Sequence, residues 1–141
     1  MRFMIIRKAD QQTEAWGKPS RALVDAMMAY NEAMIRAGVM LGGDGLKPSS
    51  RGHRIKFSGG KPKVTDGPFA ESKELVAGYT IIQAKSEEEA RDWISRYPNP
   101  AHRNGVGRIE VRRLFELEDF EQTPAIERMR EQRAETGTAG S

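Results

Sequence analysis

With 141 residues, 38% hydrophobic and 30% charged, the chain has the length of one domain and the balance of a globular protein with a real core. No apolar run approaches the roughly 20 residues that span a bilayer, and Phe3-Met4-Ile5-Ile6 lacks the flanks of a signal peptide. Cysteine is absent, excluding disulfides and thiolate chemistry, and the net charge is only +3, so a cytoplasmic protein with no membrane partner is expected.

Residues 2–7 read as a strand that is apolar on both parities, with Phe3 and Ile5 on one side and Met4 and Ile6 on the other. The polar stretch KADQQTEAWGKPS reads as a loop ending in Ser20, the N-cap of a helix over 21–37. In that helix Leu23, Met27, Tyr30 and Met34 form one stripe, Val24, Met28 and Ile35 form an adjacent row, and Gly38 supplies the left-handed stop. The methionines read as core packing rather than a cofactor box. VMLGGDGLKP reads as a strand breaking into a glycine-rich turn. HRIKFSGGKPKVTD reads as a hairpin in which Ile55 and Phe57 alternate with Arg54 and Lys56 around Gly59-Gly60.

ELVAGYTIIQA is apolar or small on both parities and is expected to be a central strand. Ser86 and Glu89 are spaced as a capping box for a helix carrying Ala90, Trp93, Ile94 and Tyr97, which Pro98 and Pro100 end. A last strand, RIEVRRLFEL, places Ile109, Val111, Phe115 and Leu117 on one face with Arg113 among them. Two helices cover only one face of an antiparallel sheet, yet two strands are apolar on both faces. The expected architecture is therefore an α+β, ferredoxin-like βαββαβ sheet with an added hairpin, paired with a second copy through its open face.

Residues 119–141 form a charged extension, with a helix start at Thr123-Pro124 and a disordered TGTAGS end. Between Gly45 and Thr65 stand Lys47, Arg51, Arg54, Lys56, Lys61 and Lys63 with no acid. Only Phe57 stands among them, not the series of aromatics that stacking platforms need, so they read as a solvated hairpin and a nucleic-acid partner is not expected.

The stretch TDGPFAESKE joins the hairpin to the central strand. It reads first as a turn, in which the Asp66 carboxylate has to reach the N–H of Phe69 or Ala70 because Pro68 has none, and Phe69 anchors the loop. It reads alternatively as a cavity mouth, where Asp66, Glu71 or Glu74 held by apolar walls becomes an acid or base tuned by Lys73. GGDG lacks the context of a phosphate or dinucleotide loop, and two separated histidines without cysteine do not make a zinc site, so neither cofactor nor metal is expected.

VTDGPFAESKELVAGYTII resembles the signature of the YCII-related superfamily, in the branch named for its DGPF motif. MRFMII, AGVMLGGDGLKP and IEVRRLFELEDF support the resemblance, which spans residues 1–118. It implies a dimeric α/β-barrel with a cavity between helices and sheet, and relatives that in some cases resemble partners of extracytoplasmic-function sigma factors. Shorter members carry a His–Asp pair with the His on the first helix. Residues 21–37 hold no His, and His53 and His102 read as loop residues, so that mechanism is not expected here.

Two functions stay open, and whether the protein is an enzyme stays open with them. One is a small-molecule pocket doing cofactor-free acid–base chemistry on a carbonyl or lactone compound, with Asp66 and Glu71 as acid and base, Asp44 as partner, and Phe69, Lys73 and Arg103 contacting substrate. The other is a non-catalytic ligand-sensing or regulatory module, such as one that meets a sigma factor.

Overall fold

The computed structural model describes residues 1–100 and 105–137. His102, Arg103 and the end of the TGTAGS tail lie outside the described residues. The chain runs β1 (Arg2–Lys8), α1 (Gln11–Glu14), α2 (Arg21–Arg36), β2 (Met40–Gly45), β3 (His53–Ser58), β4 (Lys61–Asp66), β5 (Val76–Gln83), α3 (Glu87–Ser95), β6 (Ile109–Arg113) and α4 (Pro124–Thr136). Strands β2-β5-β1-β6 make one antiparallel sheet and β3-β4 make a second, two-stranded one. This is the expected α+β arrangement with an added hairpin.

Register assigns the faces. Ile5 stands opposite Thr80 and Val111, and Phe3 opposite Ile82 and Arg113, so these side chains share one face. Tyr30 and Met34 of α2 and Ala90 of α3 close over that face, with Ile5, Met34 and Ile82 the largest fully buried side chains. The opposite face carries Met4 and Ile6 of β1 with Ile81 and Tyr79 of β5, all only partly buried.

The two helices that pack on the sheet, α2 and α3, start on the residues their sequence advertises. Ser20 Oγ accepts from the Leu23 N–H at 3.1 Å, and Gly38 follows the end of α2 at φ +70°. Val24, Met28 and Ile35 are exposed, so the buried stripe of α2 is narrower than its apolar content. In α3, Ser86 Oγ accepts from the Glu89 N–H, but Glu89 turns to the Lys85 N–H, so the reciprocal half of the capping box is shifted by one residue.

Three expectations are corrected. The polar loop before α2 contains α1, capped because the Asp10 carboxylate accepts from the Thr13 N–H at 2.8 Å while Thr13 Oγ1 accepts from the Asp10 N–H at 2.9 Å. GGDG is strand rather than turn: a Cβ on Gly43 would lie 2.7 Å from the Tyr79 carbonyl oxygen, so glycine is what lets the backbones meet. The last strand ends at Arg113, which breaks the parity and leaves Phe115 73% exposed against Phe120 while Leu117 is buried. Among the described residues no helix is long and apolar enough to cross a membrane.

Tyr30 donates to the Trp93 carbonyl at 2.9 Å and meets Tyr97 edge-on at 5.5 Å. Burial, reinforced by Tyr97, pushes the Tyr30 hydroxyl from 10.0 up to about 12, and burial also pushes Tyr97 up. The folded chain thus holds these protons more tightly than the unfolded chain, so the stabilisation is complete below pH ~10 and is lost as pH rises toward ~12. Urea midpoints are expected to fall across that window, and Tyr30→Phe to flatten part of the fall while costing ~1 kcal/mol at neutral pH.

Candidate functional site

One cleft opens where β1 leaves the sheet. Its volume is about 380 Å³, and Arg7, Trp16, Lys18, Leu23, Leu46 and Lys47 are among its walls. The local folding explains the shape. The α1 turn stops at Trp16, whose φ of +63° is a left-handed conformation that a bulky residue rarely holds, and whose indole is half-exposed at the cleft. The Gly17 N–H donates back to the Gln12 carbonyl at 2.7 Å, turning the chain toward α2. Across the cleft, the Leu46 N–H donates to the Ala77 carbonyl at 2.8 Å and fixes the segment after β2.

A second cleft of about 400 Å³ shares Leu46, Lys47 and Pro48 with the first and includes Phe69. Its organiser is Ser49. The Ser49 N–H and hydroxyl both donate to the Glu14 carboxylate, at 2.9 and 3.0 Å to Oε2, and Ser49 Oγ accepts from the Phe69 N–H at 3.0 Å. The Gly67 N–H donates to the Gly52 carbonyl, and the Gly67–Pro68 peptide is cis. The Arg54 guanidinium lies 3.9 Å from the Phe69 ring centroid, a cation–π contact.

The clasp therefore exists, but with other hands. The expected bond from Asp66 to the Phe69 N–H is not formed, because Ser49 takes that donor; among the described residues the Asp66 carboxylate accepts no hydrogen bond. Asp66→Ala is expected to change unfolding free energy by less than ~0.5 kcal/mol, and Ser49→Ala to cost ~1–2 kcal/mol, in urea titrations. An Asp66→Ala loss as large as that of Ser49→Ala would return the clasp to Asp66.

The sequence-predicted acids are not brought together. Asp66 ends β4 in register with His53 and is exposed. Asp44 lies in the other sheet opposite Tyr79, its Oδ2 accepting from the Tyr79 hydroxyl at 3.5 Å. Glu71 is exposed in a left-handed conformation, φ +61°, and Lys73 sits exposed in the short 3₁₀ turn after it. Phe69 does line a cleft; Arg103 lies outside the described residues. Sequence reading passed over Arg7, Asp10 and Trp16. The signals were there: a cation on the core parity of β1, and an Asp-x-x-Thr capping pair ahead of Trp16.

A model of the YCII-related domain matches residues 1–118. The chain is also similar to an uncharacterised protein of Rhizobium meliloti (strain 1021), with 33% identity over 104 residues that cover 72% of this chain and 82% of that protein.

Proposed function

The chain belongs to the YCII-related family, and on that premise we propose that it is a small-molecule-binding protein whose ligand sits in the cleft beside Arg7 and Trp16. The single observation that carries this reading is the cleft itself: a volume in the range of small-ligand sites, mostly apolar walls, and a few convergent cations. The non-catalytic form of the reading is favoured because Asp10, which lines this cleft, is spent on the α1 cap, and Glu14, which lines the adjoining one, is spent on Ser49. Thermal-shift screening against a metabolite panel tests it. Compounds that stabilise the wild type are expected to lose their effect in Leu23→Trp, which fills the cleft; an unchanged shift in that variant sinks the reading.

The enzymatic reading, cofactor-free acid–base chemistry on a carbonyl or lactone compound, rests on Asp66, Glu71 and Asp44, with Lys73 and Arg103 as anion contacts. What favours it is the Asp44–Tyr79 pair on the open sheet face, which a second copy would enclose. The homodimer is part of this proposal. Its support is the half-covered face of Met4, Ile6, Tyr79 and Ile81, together with the hairpin. There, Ile55 opposes Val64 and Phe57 opposes Pro62 on one face, and Lys56 opposes Lys63 on the other. Phe57 is 79% exposed, and a two-stranded hairpin of this kind is not stable by itself. A monomer by analytical ultracentrifugation at micromolar concentration overturns the homodimer.

A further inference from the structure

We infer that the cleft takes an organic carboxylate whose counter-ion is the Arg7 guanidinium, an inference that rests on the cleft being the binding site proposed above. Arg7 is largely withdrawn from water, yet no carboxylate among the described residues lies within ion-pair distance of it. Among the described residues its buried Nε finds no hydrogen-bond partner, and its Nη2 makes only a 3.4 Å bond to the Pro100 carbonyl. The four residues between Pro100 and Gly105 are Ala, His, Arg and Asn, so they bring no acid either.

The same strand shows how this chain treats a paired arginine. Arg2, with a side chain 17% exposed, holds both oxygens of Glu116 at 3.0 and 3.1 Å. Such bidentate pairing is what a guanidinium is shaped for, and a withdrawn cation without it is costly. A hole of about 10 Å³ beside Arg7 has room for about one water, which would satisfy an N–H without balancing the charge. The balance has to come from the cleft side.

The other charges there deepen the need. Lys18 and Lys47 line the cleft, and Asp10, the one acid among the described residues that line it, already accepts from the Thr13 N–H. Beside the polar Gln12, Thr13 and Ser20, the walls carry Trp16, Pro19, Leu23, Leu46 and Pro48, an apolar surface that suits the body of a ring or short chain rather than a bare phosphate. Trp16, held in its left-handed conformation at the cleft, offers that body a flat wall, and strain of this kind gathers at ligand sites.

Calorimetric titration with benzoate, benzamide and inorganic phosphate tests the assignment on the unaltered protein. Benzoate is expected to bind at least about ten-fold more tightly than benzamide, with phosphate a weak competitor. Arg7→Gln is expected to erase the preference, and Arg7→Lys to keep part of it, because an ammonium retains charge but not the planar fork. Equal affinities for benzoate and benzamide that Leu23→Trp abolishes would leave the cleft as the site and overturn the carboxylate. Phosphate binding more tightly than benzoate would overturn it as well. No binding of either aromatic probe at about 10 mM would overturn the carboxylate assignment, and with metabolite shifts untouched by Leu23→Trp the cleft reading falls too. Should Arg7→Gln fail to fold, the comparison of acid with amide on the wild type still decides.

Discussion

Gly67→Ala is expected to cost ~2–3 kcal/mol of unfolding free energy, far more than an added methyl group usually does. A Cβ at this position would lie 1.8 Å from the Ser49 carbonyl oxygen and 2.7 Å from the Ser49 carbonyl carbon. Both are backbone atoms, so no side chain can swing aside to make room. The Ser49 segment is itself pinned, since its N–H and hydroxyl are donated to Glu14 and its Oγ holds the Phe69 N–H. Relief must therefore break either the Glu14–Ser49 bonds from the α1 side or the Phe69 contact from the loop side, and each loss falls on the second cleft. Urea titration measures the cost, and limited proteolysis locates it at residues 49–54 and 66–75. A loss below ~0.5 kcal/mol would mean that the loop has slack.

The glycine of Asp66-Gly67-Pro68-Phe69 thus carries the motif's tightest constraint, and that constraint was not legible in the motif. Turn chemistry directs attention to the Asp, because an Asp before Gly-Pro is a strong local acceptor. What decides the loop is Ser49, some twenty positions away, in a stretch whose own wording, Lys-Pro-Ser-Ser-Arg, says only turn. The sheet was more legible because its signals are local and periodic. Alternation in HRIKFSGGKPKVTD with paired glycines, at φ +62° and +87°, gave the hairpin to the residue, and two-sided apolar patterning marked β5 as a central strand, which in the sheet stands between β2 and β1. The site was the least legible part. Arg7 reads as the charged end of a strand until register puts it beside Gly78 and Ile109 on the helix-covered face, and Trp16 reads as loop until its backbone conformation aims it at the cleft.

Ile5→Ala and Met4→Ala, adjacent substitutions on one strand, are expected to behave differently in kind. Ile5 is 1% exposed, opposed by Thr80 and Val111 and closed over by the helices, so its truncation leaves a cavity and is expected to cost ~2–5 kcal/mol at every protein concentration. Met4 points to the other face, opposite Ile81 and Arg112, where the sheet is only partly covered. Within one copy the loss there is expected to be smaller, ~1–2 kcal/mol, because the site is only partly closed and can collapse around the shorter side chain. In the proposed homodimer the same methionine meets a partner, and the cost of Met4→Ala then grows as the protein is concentrated, since assembly stabilises the fold by mass action. Urea midpoints of both variants, taken across a hundred-fold range of protein concentration, separate the two faces. A Met4→Ala cost that does not move with concentration rejects pairing through this face, and an Ile5→Ala cost below ~1 kcal/mol rejects the burial of the first. The outcome bears on the cleft as well. Ile5 and Arg7 share a parity, so the packing that fixes Ile5 also holds Arg7 on the helix side, where a slip of one residue would turn its charge to the open face.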